Sequence, residues 1–440
     1  MSDTPLFGTD GVRGVANVDL TVDLAYGLAR AAGDGRSGSV VIGRDTRRSG
    51  QMLAVAVQAG FNASGFDTID AGIIPVGGVS HLIGALRADF GVMVSASHNP
   101  AADNGIKFFG PGGAKLDAVR EAAIEVRYRN GEPWNEVRGA QVGINSAPDD
   151  AVDRYVDHLL AQADHSLSGI EVILDCAHGA AVRAAPGLFD RAGATVEAVC
   201  VEPTGMNINE DCGAVHPERL AERAEGRIGL AFDGDADRLI AVDEDGQVCN
   251  GDVVMAILAR HLHQRQELPG DTVVTTVMAN LGFKIAMSEL GIDVVETAVG
   301  DRYVFEAMSD IGAGLGGEQS GHILLRDHAT GDGLLTGLHL LEVVASTETP
   351  LRELRKVMTD YPQVLRNVLV EDKERLDDAD AVWAAVEMME KRLGDDGRVL
   401  VRASGTEPLV RVMVEARESH EAAAVADELV SVVRTQLSGK

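Results

Sequence analysis

Between Gly38 and Thr297, short apolar runs rich in Val and Ile alternate with longer runs at helical spacing. That alternation leaves few choices of fold. GSVVIGRD (38–45) reads as a buried strand, MLAVAVQAGFNAS (52–64) as a helix, and IDAGIIP (69–75) and DFGVMVSAS (89–97) as further strands. Unbroken apolar runs of this length suit strands covered on both faces, and helices between them are the crossovers that parallel neighbours need. The rhythm returns in GIEVILD, AAVRAAPGLFDRAG, TVEAVCV and IGLAFD (169–233), and again in DVVMAILARHL, TVVTTVM, LGFKIAMSEL and IDVVET (252–297). From about Leu369 it changes: a strand, the helix AVWAAVEMMEKRL, the strands RVLVRAS and LVRVMVEA, and a last helix describe a small antiparallel α+β unit.

A chain of 440 residues has a length prior of about three domains. The pattern instead predicts three consecutive α/β domains with mixed or parallel sheets and a smaller C-terminal α+β domain. The expected limits are 1–148, 149–252, 253–367 and 368–440. The Gly-, Asn- and Pro-bearing stretch 134–148 reads as a linker, and a hinge is expected near residues 366–369.

The net charge of −29 disfavours a broad grip on nucleic acid or an anionic membrane, and 4% aromatics leave little to stack on single strands. An anionic substrate would need a local cationic island. Four cysteines without C-x-x-C spacing suit a reducing compartment, and MSDTPLFG has no signal-peptide pattern, so a cytoplasmic protein is expected. A metal set drawn from Cys176, His178, Cys212 and His216 is a weak reading, because buried thiols are common. LLTGLHLLEVVAS (334–346) is too short to span a bilayer.

Four loops carry chemistry. Asp233-Gly234-Asp235-Ala236-Asp237-Arg238 follows the apolar run IGLAF, and alternate residues of extended chain point one way, so three carboxylates converge. Such a set repels itself unless a cation intervenes, and all-oxygen donors select Mg²⁺ where phosphate is present. An EF-hand is excluded because Arg238 stands where that loop needs Gly. Ser95-Ala96-Ser97-His98-Asn99-Pro100 ends another apolar strand, placing a hydroxyl at a sheet rim with His98 or Lys107 as base; a capped Asn-Pro turn is the plain alternative.

GGEQSGH (316–322) offers Glu318 to sugar hydroxyls, with Ser320 and His322 beside it. Its upstream glycines match G-x-G-x-x-G without opening a helix, which argues against a dinucleotide. RASGTEPLVR (402–411) frames Ser404, Gly405 and Thr406 with Arg402 and Arg411, a set suited to phosphate. A hydroxyl, a cation cage, a hydroxyl reader and a phosphate clamp together describe phosphoryl transfer on a phosphosugar.

The motifs FGTDGVRG, VIGRDTRRSG, SASHNPAADNGIKFFGPGG, LDCAHGAA, NINEDCGAVHPERL, FDGDADR, VGDRYVFEAM, GGEQSGH, TGDGLL and VRASGTEPLVRVMVE run nearly end to end. Through them the chain resembles the α-D-phosphohexomutase superfamily, most of all its bacterial amino-sugar branch; Gln319 beside Glu318 is similar to that branch. The resemblance implies four domains in a heart shape around a central cleft. It implies Ser97 as phosphoserine, and one Mg²⁺ held by the Ser97 phosphate with Asp233, Asp235 and Asp237. Arg13, His98, Lys107, Arg238 and His322 would surround the transferred phosphoryl. Glu318 and Ser320 would read the sugar, and Arg402, Ser404, Gly405, Thr406 and Arg411 would clamp the other phosphate.

The implied reaction converts glucosamine 6-phosphate to glucosamine 1-phosphate through a 1,6-bisphosphate, toward UDP-N-acetylglucosamine and cell-wall precursors. First phosphorylation of Ser97 would come from an activating kinase or from the protein itself. Phosphomannomutase/phosphoglucomutase activity is the alternative within the superfamily. Outside it stand an Mg²⁺-dependent phosphatase with Asp233 as nucleophile and a non-catalytic sugar-phosphate sensor. Ser95, two residues from Ser97 with the same chemistry, is expected to tolerate alanine with much activity retained.

Overall fold

The structure, a computed structural model, describes residues 5–8, 10–33, 37–131, 134, 137–404 and 408–437. Among the described residues eighteen strands form four sheets. The first takes β1 (Val12–Val15), β2 (Gly38–Arg44), β3 (Phe66–Ile73), β4 (Phe90–Val94), β5 (Asp103–Phe109) and β6 (Asn145–Ser146) in the order β1-β5-β4-β2-β3-β6. Pairing is parallel from β4 through β2 and β3 to β6, and antiparallel between β4 and β5 and between β5 and β1. The mixed sheet is what the unbroken apolar runs demand: Val40, Ile42, Val92 and Val94 are fully buried against Leu28, Leu53, Val57 and Phe61. The expected linker differs in one respect, because Asn145 and Ser146 extend this sheet alongside Thr68 and Ile69.

In the second sheet, β7 (Glu171–Asp175), β8 (Thr195–Val199), β9 (Ile228–Phe232), β10 (Leu239–Val242) and β11 (Val248–Cys249) stand in the order β11-β10-β9-β7-β8. The third orders β12 (Thr272–Thr276), β13 (Asp293–Thr297), β14 (Leu315–Gly317) and β15 (Ile323–Leu325) as β13-β12-β14-β15. In each, parallel strands meet an antiparallel edge, and the functional loops leave the C-terminal ends of the parallel strands. Among the described residues no helix is long and apolar enough to cross a membrane. The apolar run at 334–346 lies in the buried helix Gly333–Thr347, whose first turn is capped by the Asp332 carboxylate at 3.0 and 3.1 Å from two backbone amides.

The chain divides into two compact units, one of residues 1–278 and 292–357, the other of 279–291 and 358–440. The second holds an antiparallel sheet, β16 (Gln363–Leu369), β17 (Gly397–Ala403) and β18 (Leu409–Ala416), with helices Asp380–Leu393 and Ser419–Leu437. Residues 366–369 pair with β18 throughout their length, so the expected hinge cannot lie there; a continuous ladder has no freedom to swing. The helix Leu281–Leu290, read as part of the third α/β repeat, belongs to this second unit. Asn280 exchanges hydrogen bonds with the Tyr361 backbone at 2.9 and 3.0 Å, and the Leu281 amide donates to buried Glu415 at 3.2 Å. Glu415 also accepts from Arg398 at 2.8 Å, a long-range anchor that local periodicity cannot reveal.

Candidate active site

The loop after β4 is shaped by a buried guanidinium. Arg47 donates to the carbonyls of Ser97 (2.9 Å), Asn99 (2.7 Å), Asp103 (3.0 Å) and Pro100, and its Nε meets Asp45 at 2.8 Å. Asn209 adds a bond to the Ser97 carbonyl at 2.9 Å. These donors hold Ser97 at φ +52°, a left-handed conformation that a serine adopts only when its surroundings fix it. Gly234 passes so close that a Cβ there would stand 2.3 Å from the Ser97 carbonyl oxygen. Ser95 is no bystander: its hydroxyl donates to Asp45 at 2.6 Å and accepts the Ser97 amide at 2.9 Å, fully buried. The expectation that alanine is tolerated there is therefore corrected.

The Ser97 hydroxyl donates to Asp233 at 2.5 Å. Asp233, Asp235 and Asp237 are all buried, and one oxygen from each lies within 4.8 Å of the others. Asp235 Oδ1 and Asp237 Oδ1 are buried without a hydrogen-bond partner among the described residues. Such acceptors are costly unless a cation meets them, and an all-oxygen set of this kind fits Mg²⁺. Burial, then the charges of Asp237 and Asp235, push the Asp233 carboxyl up to about 8.

Lys107 on β5 reaches Asp10 at 2.7 Å, Asp235 at 2.8 Å and Asp237 at 3.6 Å. Burial alone would lower its pKa; the three carboxylates outweigh it and hold the ammonium charged. Lys107 thus offsets part of the negative charge of the cage. His98 differs. Burial, then Arg238 and Arg13, pull its pKa down to about 4, leaving a neutral ring with Nδ1 3.4 Å from the Ser97 oxygen.

A cavity of about 420 Å³ opens over these groups, lined by Arg13, His98, Asp237, Arg238, Glu318 and His322 among others. Arg238 and His322 face each other across an antiparallel bridge, which brings the GGEQSGH loop to the acidic loop. His322 lies 3.5 Å from both Asp237 and Asp301, and these carboxylates raise its pKa against the effect of burial. Glu318 accepts the Gly300 amide at 3.0 Å, and Ser320 Oγ is buried without a partner among the described residues.

Arg402, Ser404 and Arg411 lie in the second unit. Arg402 and Arg411 stand directly opposite on β17 and β18, and the Ser404 carbonyl accepts Lys373 Nζ at 2.6 Å. Gly405 and Thr406 lie outside the described residues.

The sequence reading assigned no role to Asp10, Asp45, Arg47, Lys115, Asn209 or Asp301. Asp10 joins Lys107 to Lys115, and Lys115 continues to Asp301. For Asp10, Asp45 and Arg47 the signal is a charged residue inside a glycine-rich or apolar run, as in GTDGVRG and VIGRDTRR.

Models of the phosphoglucomutase/phosphomannomutase family match along most of the chain: α/β/α domains I, II and III at residues 4–133, 153–246 and 250–361, and the C-terminal domain at 365–432. The chain belongs to this family. It is 52% identical over 452 residues to the phosphoglucosamine mutase of Leifsonia xyli subsp. xyli, covering 99% of each. Its fold is similar to a phosphoglucomutase/phosphomannomutase family protein of Burkholderia thailandensis (TM-score 0.82, 24% identity, 98% and 97% of the two chains). It is also similar to an N-acetylphosphoglucosamine mutase of Aspergillus fumigatus in complex with GlcNAc-6P and magnesium (TM-score 0.71, 19% identity, 98% and 96%).

Proposed function

We propose that the chain is a cytoplasmic isomerase, a phosphoglucosamine mutase that moves a phosphoryl group between O6 and O1 of glucosamine phosphate. The observation that carries this reading is the Ser97 hydroxyl seated on Asp233 inside a buried carboxylate triad. The half-identity to the Leifsonia enzyme over both full lengths selects the amino sugar.

In this reading Ser97, once phosphorylated, gives its phosphoryl to the free sugar hydroxyl; the P–O bond to Ser97 breaks as the bond to sugar oxygen forms. The 1,6-bisphosphate turns within the site and returns its other phosphoryl to Ser97. Asp233, Asp235 and Asp237, with the Ser97 phosphate, would hold one Mg²⁺, which when bound screens the charge on the phosphoryl oxygens. Lys107 offsets the carboxylates, while Arg13 and Arg238 face the phosphoryl oxygens. Neutral His98 stands 3.4 Å from the serine oxygen, and His322, held by two carboxylates, is placed to carry a proton at the cavity wall. Glu318 and Ser320 read sugar hydroxyls. Arg402, Ser404 and Arg411, with Gly405 and Thr406, would take the phosphate that is not being transferred.

A coupled assay with glucosamine 6-phosphate, glucose 6-phosphate and mannose 6-phosphate tests the assignment. The expected kcat/KM favours glucosamine phosphate by at least about tenfold, roughly 1.4 kcal/mol of transition-state discrimination. Equal or reversed preference would move the protein to phosphomannomutase/phosphoglucomutase activity. Release of inorganic phosphate independent of Ser97 would make it a phosphatase.

A further inference from the structure

A second cluster, chemically unlike the carboxylate triad, sits at the C-terminal edge of the second sheet. His178 follows β7, Cys200 follows its parallel neighbour β8, and Cys212 precedes the turn Gly213–Val215. A ring nitrogen of His178 and the two sulfurs all lie within 4.8 Å of one another. The site differs from the set suggested by sequence spacing: Cys176 falls outside the group, and His216 turns instead to Glu218 at 3.1 Å.

Local structure fixes this convergence. The His178 amide donates to the Cys200 carbonyl at 2.7 Å, tying the two strand ends together. Asp175 accepts the amides of Ala177 at 2.9 Å and Gly213 at 2.8 Å, which brings Cys212 to the same place. Cys200 and Cys212 are both free thiols. Gly213 is held at φ +75°, where a Cβ would meet the Phe232 carbonyl at 2.5 Å, so the turn cannot relax away. Meanwhile His178 Nδ1 is buried with no hydrogen-bond partner among the described residues. Two thiols and an imidazole thus converge on a braced frame.

We infer that His178, Cys200 and Cys212 form a binding site for a thiophilic divalent cation such as Zn²⁺, separate from the oxygen cage. Binding releases two thiol protons to solvent and leaves a neutral Zn²⁺–dithiolate–imidazole group. Cys212 is buried while Cys200 and His178 are half-buried, and a water would complete the four-coordination usual for such an ion. Asp175, still bonded to two backbone amides, supplies the outer support usual around such ligands. Soft sulfur donors exclude Mg²⁺, just as the carboxylate triad disfavours sulfur-seeking ions. The cation would join the loops at 176–179 and 200 to the segment carrying Asn209, which grips the Ser97 carbonyl. Its occupancy would therefore stiffen the scaffold beneath the serine loop.

Titration of the reduced, metal-stripped protein with Co²⁺ tests this directly. A thiolate-to-cobalt charge-transfer band should saturate at one ion per chain, vanish on adding equimolar Zn²⁺ and survive a large excess of Mg²⁺. Competition against a chromophoric chelator should show Zn²⁺ affinity falling at least about tenfold in Cys212→Ser and in His178→Gln. The half-exposed His178 keeps the test open if Cys212→Ser does not fold. Cys249→Ser, a thiol outside the cluster, and Asp235→Ala, an oxygen-cage residue, should keep the band. Absence of the band, or its persistence in both cluster variants, overturns the site. So does a reduced protein that binds no Co²⁺ yet forms a Cys200–Cys212 disulfide in air, which would make the pair a redox couple.

Discussion

The Ser97 hydroxyl and the Asp233 carboxylate, 136 positions apart in the chain, meet at 2.5 Å in a buried site. The contact joins the end of β4 to the end of β9, so the serine of one sheet is completed by the acid of another. Ser97→Ala removes the oxygen proposed to carry the phosphoryl group and leaves the carboxylate triad in place. Mutase turnover should be lost, the phosphopeptide containing residue 97 should disappear from mass spectra, and Mg²⁺ and substrate binding should remain measurable. A fully active variant would sink the phosphoserine mechanism.

Ser95→Ala should behave as a structural lesion. It removes one of the buried donors to Asp45, which keeps Arg47, and leaves the Ser97 amide without its acceptor. One such unsatisfied group costs about 1–3 kcal/mol, so urea unfolding should shift by at least that much, with turnover reduced through misplacement of Ser97. Unchanged stability would mean that the Ser95 bonds carry no load.

These two serines mark how far the sequence could be read. Period and apolar run length were enough to place β4, β7, β9 and β12 and to put Ser97 and the aspartates at strand ends. What separates Ser95 from Ser97 is a buried Asp45–Arg47 pair some fifty residues upstream, and nothing in local spacing reports it. The Leu281–Leu290 helix was legible as a helix, but its attachment to Glu415 was not. The same holds for Asp10, Lys115 and Asp301, whose meeting depends on three chain segments. The proposed clamp shows in the sequence only as a composition, Ser-Gly-Thr between arginines, and Gly405 and Thr406 lie outside the described residues.

Metal removal should stop turnover reversibly. Asp235 Oδ1 and Asp237 Oδ1 have no donor among the described residues, so the closely spaced carboxylates need a cation to close around a phosphoserine. Chelation is expected to abolish activity and Mg²⁺ to restore it. Asp235→Ala should weaken Mg²⁺ binding in calorimetry and lower kcat together. Full activity in excess chelator would refute the cage.

Acid should destabilise the first unit through a histidine stack. The His81 ring lies 3.9 Å from that of His158, and His158 lies 5.9 Å from His328. Burial, then the charges of His158 and His328, lower the His81 pKa from 6.5 to about 4. The folded form therefore holds His81 neutral where the unfolded chain would protonate it. Its stabilisation is complete above pH 6.5 and is lost as the pH falls from 6.5 toward 4. Tm should drop between pH 7 and pH 5, and His81→Asn should flatten that slope. Identical slopes in the two proteins would remove His81 as the cause.

The paired arginines of the second unit give the last test. Arg402 and Arg411 face each other across β17 and β18, and like charges in that register repel. Burial, and then Arg411, lower the Arg402 pKa. A phosphate dianion between them would relieve the repulsion and accept charge-assisted bonds worth about 1.5–3 kcal/mol each. Arg411→Ala should accordingly raise KM for the sugar phosphate roughly tenfold to hundredfold and release more bisphosphate into solution. The fold should survive, because the substitution removes a repulsion along with a ligand. Sulfate provides the independent readout: it should raise the melting temperature of the parent protein and do so far less in Arg411→Ala. If sulfate stabilises both equally while KM stays unchanged, these arginines do not hold the second phosphate, and the clamp must be sought elsewhere.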